Sequence, residues 1–250
     1  MQATRIRDGN RVRRDEMVAR EETLCLHLNG ALLVRLICSP SCLEDLAVGF
    51  LFSEGIIAGL RDIQSIEQGS AETTLFVRTV GSLRRKPGLA GAIRTSGCGA
   101  GVTLSGGVDG IERIHTGPTI GVDQILSVSR EFEASSELFR QTGGVHACGL
   151  ALEGKLTLMR EDIGRHNALD KVVGAALREG IDLSKTVVHI SGRISSEMVT
   201  KAARSRVATV VSRTAPTSTA VDLAAQLGIC VVGFVRGGRM NVYTYADRIR

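Results

Sequence analysis

The chain has 250 residues, 43% of them hydrophobic, enough for one large domain or two small ones. With no Trp, 2 Tyr and 6 Phe, the core must be built from Val, Leu, Ile and Ala, and stacking platforms for single-stranded nucleic acid are missing. The net charge of +5 is mild and suits an anionic small ligand or an acidic partner rather than nucleic acid.

No apolar stretch approaches the ~20 residues of a membrane span and no secretory leader is visible. The cysteines, Cys25, Cys38, Cys42, Cys98, Cys148 and Cys230, are scattered and sit mostly in apolar runs, which fits a reducing cytoplasm. Residues 1–22 are polar and charge-rich and read as a solvated arm. We divide the rest into an N-terminal subdomain over 23–120 and an α/β subdomain over 121–250.

In the first of these, residues 23–28 and 31–38 are β-like runs joined by Asn29-Gly30, a strong hairpin signal. Pro40-Ser41 opens a helix in which Ser41 and Glu44 have capping-box spacing and Cys42 lies inside. Leu43, Leu46, Ala47, Phe50 and Leu51 form its apolar face, and Gly55 stops it. Residues 63–67 and 74–79 read as two more strands, followed by a solvated basic turn at Arg84-Arg85-Lys86.

Next comes Arg94-Thr-Ser-Gly-Cys98-Gly-Ala-Gly101, one cysteine among small residues. Glycines at 97, 99 and 101 allow successive N–H groups to turn inward as an anion nest that would favour thiolate, the reactive form of cysteine. A plain Gly/Ser loop that happens to carry a cysteine accounts for the same residues. The spacing fits neither a dinucleotide fingerprint nor a P-loop.

Residues 122–140 have the period of one helix, ended by Gly143-Gly144. Strands at 145–152 and 156–159 surround a Glu153-Gly154 turn and lead into a polar stretch at 160–171, then a helix ending at Gly180. Short apolar strands at 187–190, 208–211 and 229–234 then alternate with helices at 195–203 and 219–227, the pattern of a mostly parallel buried sheet. In such sheets ligands bind beyond the carboxyl ends of the strands. Three ends carry similar chemistry: Ser191-Gly-Arg193, Ser212-Arg213-Thr214 and Arg236-Gly237-Gly238-Arg239. Together they suit a ligand with several phosphates; singly, each is also an ordinary exposed turn. The stretch 160–171 supplies Asp162, Arg165 and His166, either as an ion-pair network, as a solvated face or as acid–base groups, and His146 is read as structural. No spacing supports a zinc site.

Six motifs in order resemble the FdhD family of formate dehydrogenase accessory sulfurtransferases. They are Thr-Ser-Gly-Cys98-Gly, Gly143-Gly-Val-His-Ala147, Arg160-Glu-Asp-Ile-Gly-Arg-His-Asn-Ala-Leu-Asp-Lys171, Ser191-Gly-Arg-Ile-Ser-Ser-Glu197, Ser212-Arg-Thr-Ala-Pro-Thr217 and Gly233-Phe-Val-Arg-Gly-Gly-Arg239. The resemblance implies a cytidine-deaminase-like three-layer α/β fold without the deaminase zinc, and a homodimer. It also implies that Cys98 accepts persulfide sulfur from a cysteine desulfurase. That sulfur passes to the molybdenum bis-guanine-dinucleotide cofactor, with GDP as its mimic, before the cofactor enters formate dehydrogenase. Phe234, Val235, Arg236, Gly237, Gly238 and Arg239 carry over as cofactor contacts, beside Ser191, Arg193, Ser212 and Arg213. Most relatives have a second loop cysteine three residues on, where this chain has Gly101, so either Cys98 suffices, or another cysteine such as Cys148 assists, or this member no longer transfers sulfur. The alternative is a non-catalytic chaperone for the same cofactor.

Overall fold

The computed structural model describes residues 1–70, 73–81, 108 and 110–250, and the backbone of 92–94. The expected arm is a hairpin of β1 (Gln2–Arg7) and β2 (Asn10–Asp15), every residue of it exposed. Its turn is Asp8-Gly9, both at positive φ, the pairing that matches strand twist in tight hairpins.

A second hairpin, β3 (Glu22–Leu28) and β4 (Ala31–Cys38), turns at Asn29-Gly30 as the sequence requires. With β5 (Ile63–Gln68), β6 (Thr74–Thr79) and β7 (Ala92–Arg94) it makes a five-stranded sheet in the order β5-β6-β3-β4-β7. Helix α1 (Leu43–Ser53) covers it, burying Leu46, Phe50 and Leu51 against Leu24, Leu26 and Leu36. The expected capping box does not form. Cys42 is the exposed N-cap in a left-handed conformation without a side-chain cap, and Glu44 is drawn to Arg178, 2.7 Å away.

The helix expected over 122–140 is two: α2 (Val122–Ser135) and α3 (Glu137–Thr142). Ser136 leaves the helical region at ψ 77 and its hydroxyl donates back to the Phe132 carbonyl. The Glu161 carboxylate accepts from the N–H groups of Leu138 and Phe139, both at 2.9 Å, and so caps the new helix.

The second sheet is built from β8 (His146–Leu152), β9 (Lys155–Asp162), β10 (Thr186–Ile190), β11 (Thr209–Ser212), β12 (Cys230–Arg236) and β13 (Arg239–Thr244). Its order is β13-β12-β11-β10-β8-β9. Parallel pairing is confined to β10, β11 and β12, because two hairpins, β8-β9 and β12-β13, flank them antiparallel. Helices α4 (Arg165–Arg178), α5 (Ser196–Arg204) and α6 (Ser218–Leu227) cover one face and α2 the other, giving three layers of an α/β fold.

The two sheets join where α1 crosses α4. A Cβ on Gly49 would overlap the Asp170 carbonyl, and one on Gly174 would overlap the Asp45 carbonyl, so the backbones meet directly. Around this crossing charges are buried in partnered sets. Lys201 Nζ lies 2.8 Å from Asp170 and 3.2 Å from Glu54, and Ser53 donates to Asp170. Lys171 Nζ lies 2.6 Å from Asp162, both fully buried. Among the described residues no helix is long and apolar enough to cross a membrane.

Candidate functional site

Since β10, β11 and β12 run parallel and adjacent, the three sequence-marked ends stand side by side at one edge of the sheet. Backbone contacts lace them together. The Ser191 hydroxyl accepts from Ala147 N–H at the start of β8, the Ser212 hydroxyl donates to the Gly192 carbonyl, and Phe234 N–H donates to the Thr214 carbonyl. The loops are held firmly while Arg193, Arg213, Arg236 and Arg239 remain exposed. Such fixed backbone and exposed cation heads are what a polyanion site needs.

The last end is a hairpin tip and not a strand-to-helix loop. Arg236 and Arg239 face each other across Gly237-Gly238, whose φ values of 60° and 77° suit glycine. A bulge just before the tip puts Phe234 at φ 56°, a strained conformation for an aromatic residue, with the Arg236 guanidinium 5.8 Å from its ring centre. Arg213 reaches Glu133 of α2 at 3.2 Å, but both are well exposed, so the pair holds the arginine only weakly.

Beside this edge, between α2, α3 and the sheet, lies a cavity of about 670 Å³. Ser191, Ser212, Arg213 and Val235, four of the residues that the sequence singles out, line it. His146, read from the sequence as structural, also lines it; burial, then the charge of Arg165 and of His166, lowers its pKa. Phe132, Ser129 and His189 line it too and were not signalled by any motif. The available sign was a lone histidine in the apolar strand Val187-Val188-His189-Ile190.

The remaining sequence candidates fall around or outside this cavity. Arg193, Phe234, Arg236, Gly237, Gly238 and Arg239 form the edge next to it without lining it. Arg165 packs near Gly192. His166 Nε2 lies 2.8 Å from Glu197 Oε2, and that contact holds the Glu197 carboxyl below its ordinary range. Asp162 is wholly buried, bound by Lys171, Ser39 N–H, Gly164 N–H and Asn167. Of the readings open for 160–171, the ion-pair network describes Asp162 and its neighbours.

Cys98 and the Arg84-Arg85-Lys86 turn lie outside the described residues. Among the other cysteines, burial pushes Cys38 and Cys230 up to about 12 and raises Cys148 further still. None of these three is a thiolate near neutrality. Cys42 is exposed and Cys25 partly so.

An arginine-lined strand edge thus stands beside a mixed cavity on a three-layer α/β frame. A crystal structure described as that of a formate dehydrogenase accessory protein from Desulfotalea psychrophila superposes with a TM-score of 0.84 at 30% identity, covering 100% of this chain and 98% of the other. Relatives called sulfur carrier protein FdhD come from Wolinella succinogenes, 40% identical over 94% of this chain and 83% of the relative, and Shouchella clausii, 35% identical over 99% and 95%. Another, from Listeria monocytogenes, is 38% identical over 94% and 92%. The FdhD/NarQ family profile matches residues 19–250, and the chain belongs to that family.

Proposed function

We propose that this protein is a sulfur carrier for formate dehydrogenase, relaying persulfide sulfur on Cys98 to a molybdenum bis-guanine-dinucleotide held at the arginine edge. The observation that carries the reading is the adjacency of the three strand ends, which gathers Arg193, Arg213, Arg236 and Arg239 at one rim. A dinucleotide with pyrophosphates matches such a rim. The names of the relatives support sulfur carriage. Burial of Cys38, Cys148 and Cys230 leaves Cys98 with less competition as acceptor.

In the loading step the Cys98 thiolate attacks the outer sulfur of the donor enzyme's persulfide. The S–S bond of the donor breaks, its cysteine leaves as thiolate, and Cys98 becomes the persulfide with no net oxidation. On delivery the S–S electron pair returns to Cys98, and the acceptor metal supplies the two electrons that the transferred sulfur carries as sulfide. Gly101 takes away the thiol that would otherwise compete by forming a loop disulfide, which lengthens the loaded state.

The test has two parts. After incubation with a cysteine desulfurase and cysteine, mass spectrometry finds one added sulfur on the wild type and none on Cys98→Ser. Calorimetry finds GDP binding weakened by about 1.5–3 kcal/mol in Arg236→Ala and in Arg239→Ala, the scale of a hydrogen bond to a charged group. Unaltered GDP affinity in both variants defeats the cofactor site. The Gly101 position favours one second reading, a chaperone that binds the cofactor without carrying sulfur. It stands if Cys98→Ser restores formate dehydrogenase activity as well as the wild type in cells lacking their own accessory protein.

A further inference from the structure

We infer that the N-terminal hairpin is a docking arm that takes an acidic, extended segment of the client enzyme as a third strand along β2. The client comes from the reading above, on which this rests; the docking surface is argued from the arm itself. Every residue from Met1 to Asp15 is exposed, so the arm packs against none of the described residues. Two strands alone are marginal in water, and a third strand makes such a ribbon stable.

The ladder fixes which backbone groups stand open and what flanks them. Met1 and Glu16 exchange both backbone bonds, at 2.9 and 2.8 Å. Bonded pairs then recur at every second position, Ala3 with Arg14, Arg5 with Val12 and Arg7 with Asn10. The residues between them on β2, Arg11, Arg13 and Asp15, turn their N–H and C=O groups outward. Arg5 and Arg14 lie 2.8 and 3.2 Å from Glu16, and Arg7 lies 3.8 Å from Asp8. Arg11 and Arg13 meet no carboxylate among the described residues, and their side chains share one face. The uncommitted cations therefore belong to the residues whose backbone is open. A strand added along β2 sets alternate side chains opposite them, and carboxylates two positions apart match both.

The same pattern turns other occupants away. A second copy pairing β2 with β2 would set arginine against arginine. A lipid surface takes one apolar face, whereas Ile6 and Val12 lie on opposite faces with arginines on each. Residues 1–21 hold no aromatic side chain on which bases could stack.

The root of the arm determines where the partner is brought. A Cβ on Gly144 would lie 3.2 Å from that of Ala19, so the strap leaving the arm crosses Gly144. Gly143 and Gly144 line the cavity beside the arginine edge. Exposed Met17 and Val18 add apolar surface at the root, in a concavity that Met1 also lines. A client seated on β2 is thus held at the lip of the cavity, next to the edge from which it receives the cofactor.

Biolayer interferometry with formate dehydrogenase apoenzyme tests this on the full-length wild type, Arg11→Glu/Arg13→Glu, Arg13→Ala and Arg13→Pro. The charge reversal should weaken binding about tenfold or more, because two attractive cross-strand pairs become repulsive. Arg13→Pro also removes an outward N–H that the hairpin's own ladder does not use, so it should bind more weakly than Arg13→Ala. All variants should keep the melting temperature and the GDP affinity of the wild type. Binding unmoved by the charge reversal overturns the inference alone, and so does equal binding by Arg13→Pro and Arg13→Ala. A loss confined to the cysteine desulfurase, to phosphatidylserine vesicles or to duplex DNA gives the arm to another partner and overturns it too. Failure of the wild type to bind the apoenzyme overturns the client reading, and the inference with it.

Discussion

Lys201 and Arg236 are both cations of the C-terminal half, yet one is enclosed and the other stands open. Lys201 is 4% exposed and meets Asp170, Glu54 and Ser53, so its charge is consumed in holding α1 to α4 and α5. Arg236 is exposed on a hairpin tip, over the Phe234 ring, and among the described residues no carboxylate pairs with it. Charges in the crossing of α1 and α4 are closed sets that specify how two layers meet. The exposed arginines of the edge, Arg213 with its weak tie to Glu133 aside, meet no carboxylate among the described residues, which leaves their heads to a ligand.

The comparison breaks first at the glycine crossing. Gly49→Val should cost more than about 5 kcal/mol, because its side chain must displace the Asp170 backbone carbonyl and no rotamer relieves that. Chemical denaturation should find no cooperative transition, whereas Arg239→Ala at the tip should match the wild type within about 0.5 kcal/mol. A stable Gly49→Val protein would remove the crossing from the account. Next in size is Lys201→Met, which strands Asp170 and Glu54 and should cost about 3–5 kcal/mol by the same measurement. A change under about 1 kcal/mol would put that cluster in the same class as an exposed pair.

The smallest effect sharpens the comparison on the edge side through pH. His189 falls from an ordinary 6.5 to about 3 in the folded chain through burial, so below 6.5 the unfolded state binds a proton that the folded state refuses. Stability from this residue is therefore complete above 6.5 and declines as the pH falls toward 3. The slope is about 1.4 kcal/mol per pH unit, or about 2 kcal/mol near pH 5. His189→Leu should lack this part of the acid limb. Parallel pH profiles for the two proteins would show that the ring is not held neutral.

What the sequence disclosed was local or periodic. Asn29-Gly30 announces its hairpin because the turn chemistry is contained in two residues, whereas the run of charges over residues 1–22 reads as a solvated arm and hides the same chemistry at Asp8-Gly9. The alternation after residue 186 was enough to set β10, β11 and β12 in parallel and so to bring Ser191, Ser212 and Arg236 to one edge. What it withheld depends on distant partners. Glu44 fails as a capping residue because Arg178 claims it, and nothing near either residue announces the pairing. Gly49 and Gly174 read as ordinary small residues until two helices cross at them. His189 looks like a blemish in an apolar strand until α2 is laid over it with Ser129.

The interruption at Ser136 has a mechanical meaning. An unbroken helix over 122–140 would run roughly 28 Å in a straight line. The break gives α3 a separate course, and its Phe139 and Arg140 become the lip of the cavity. The latch for that lip is Glu161, and the next residue, Asp162, is locked by Lys171 and Ser39. Successive side chains of a strand point to opposite sides. The end of β9 is thus a two-sided tie, one residue gripping the lip and its neighbour gripping the layer that carries α1.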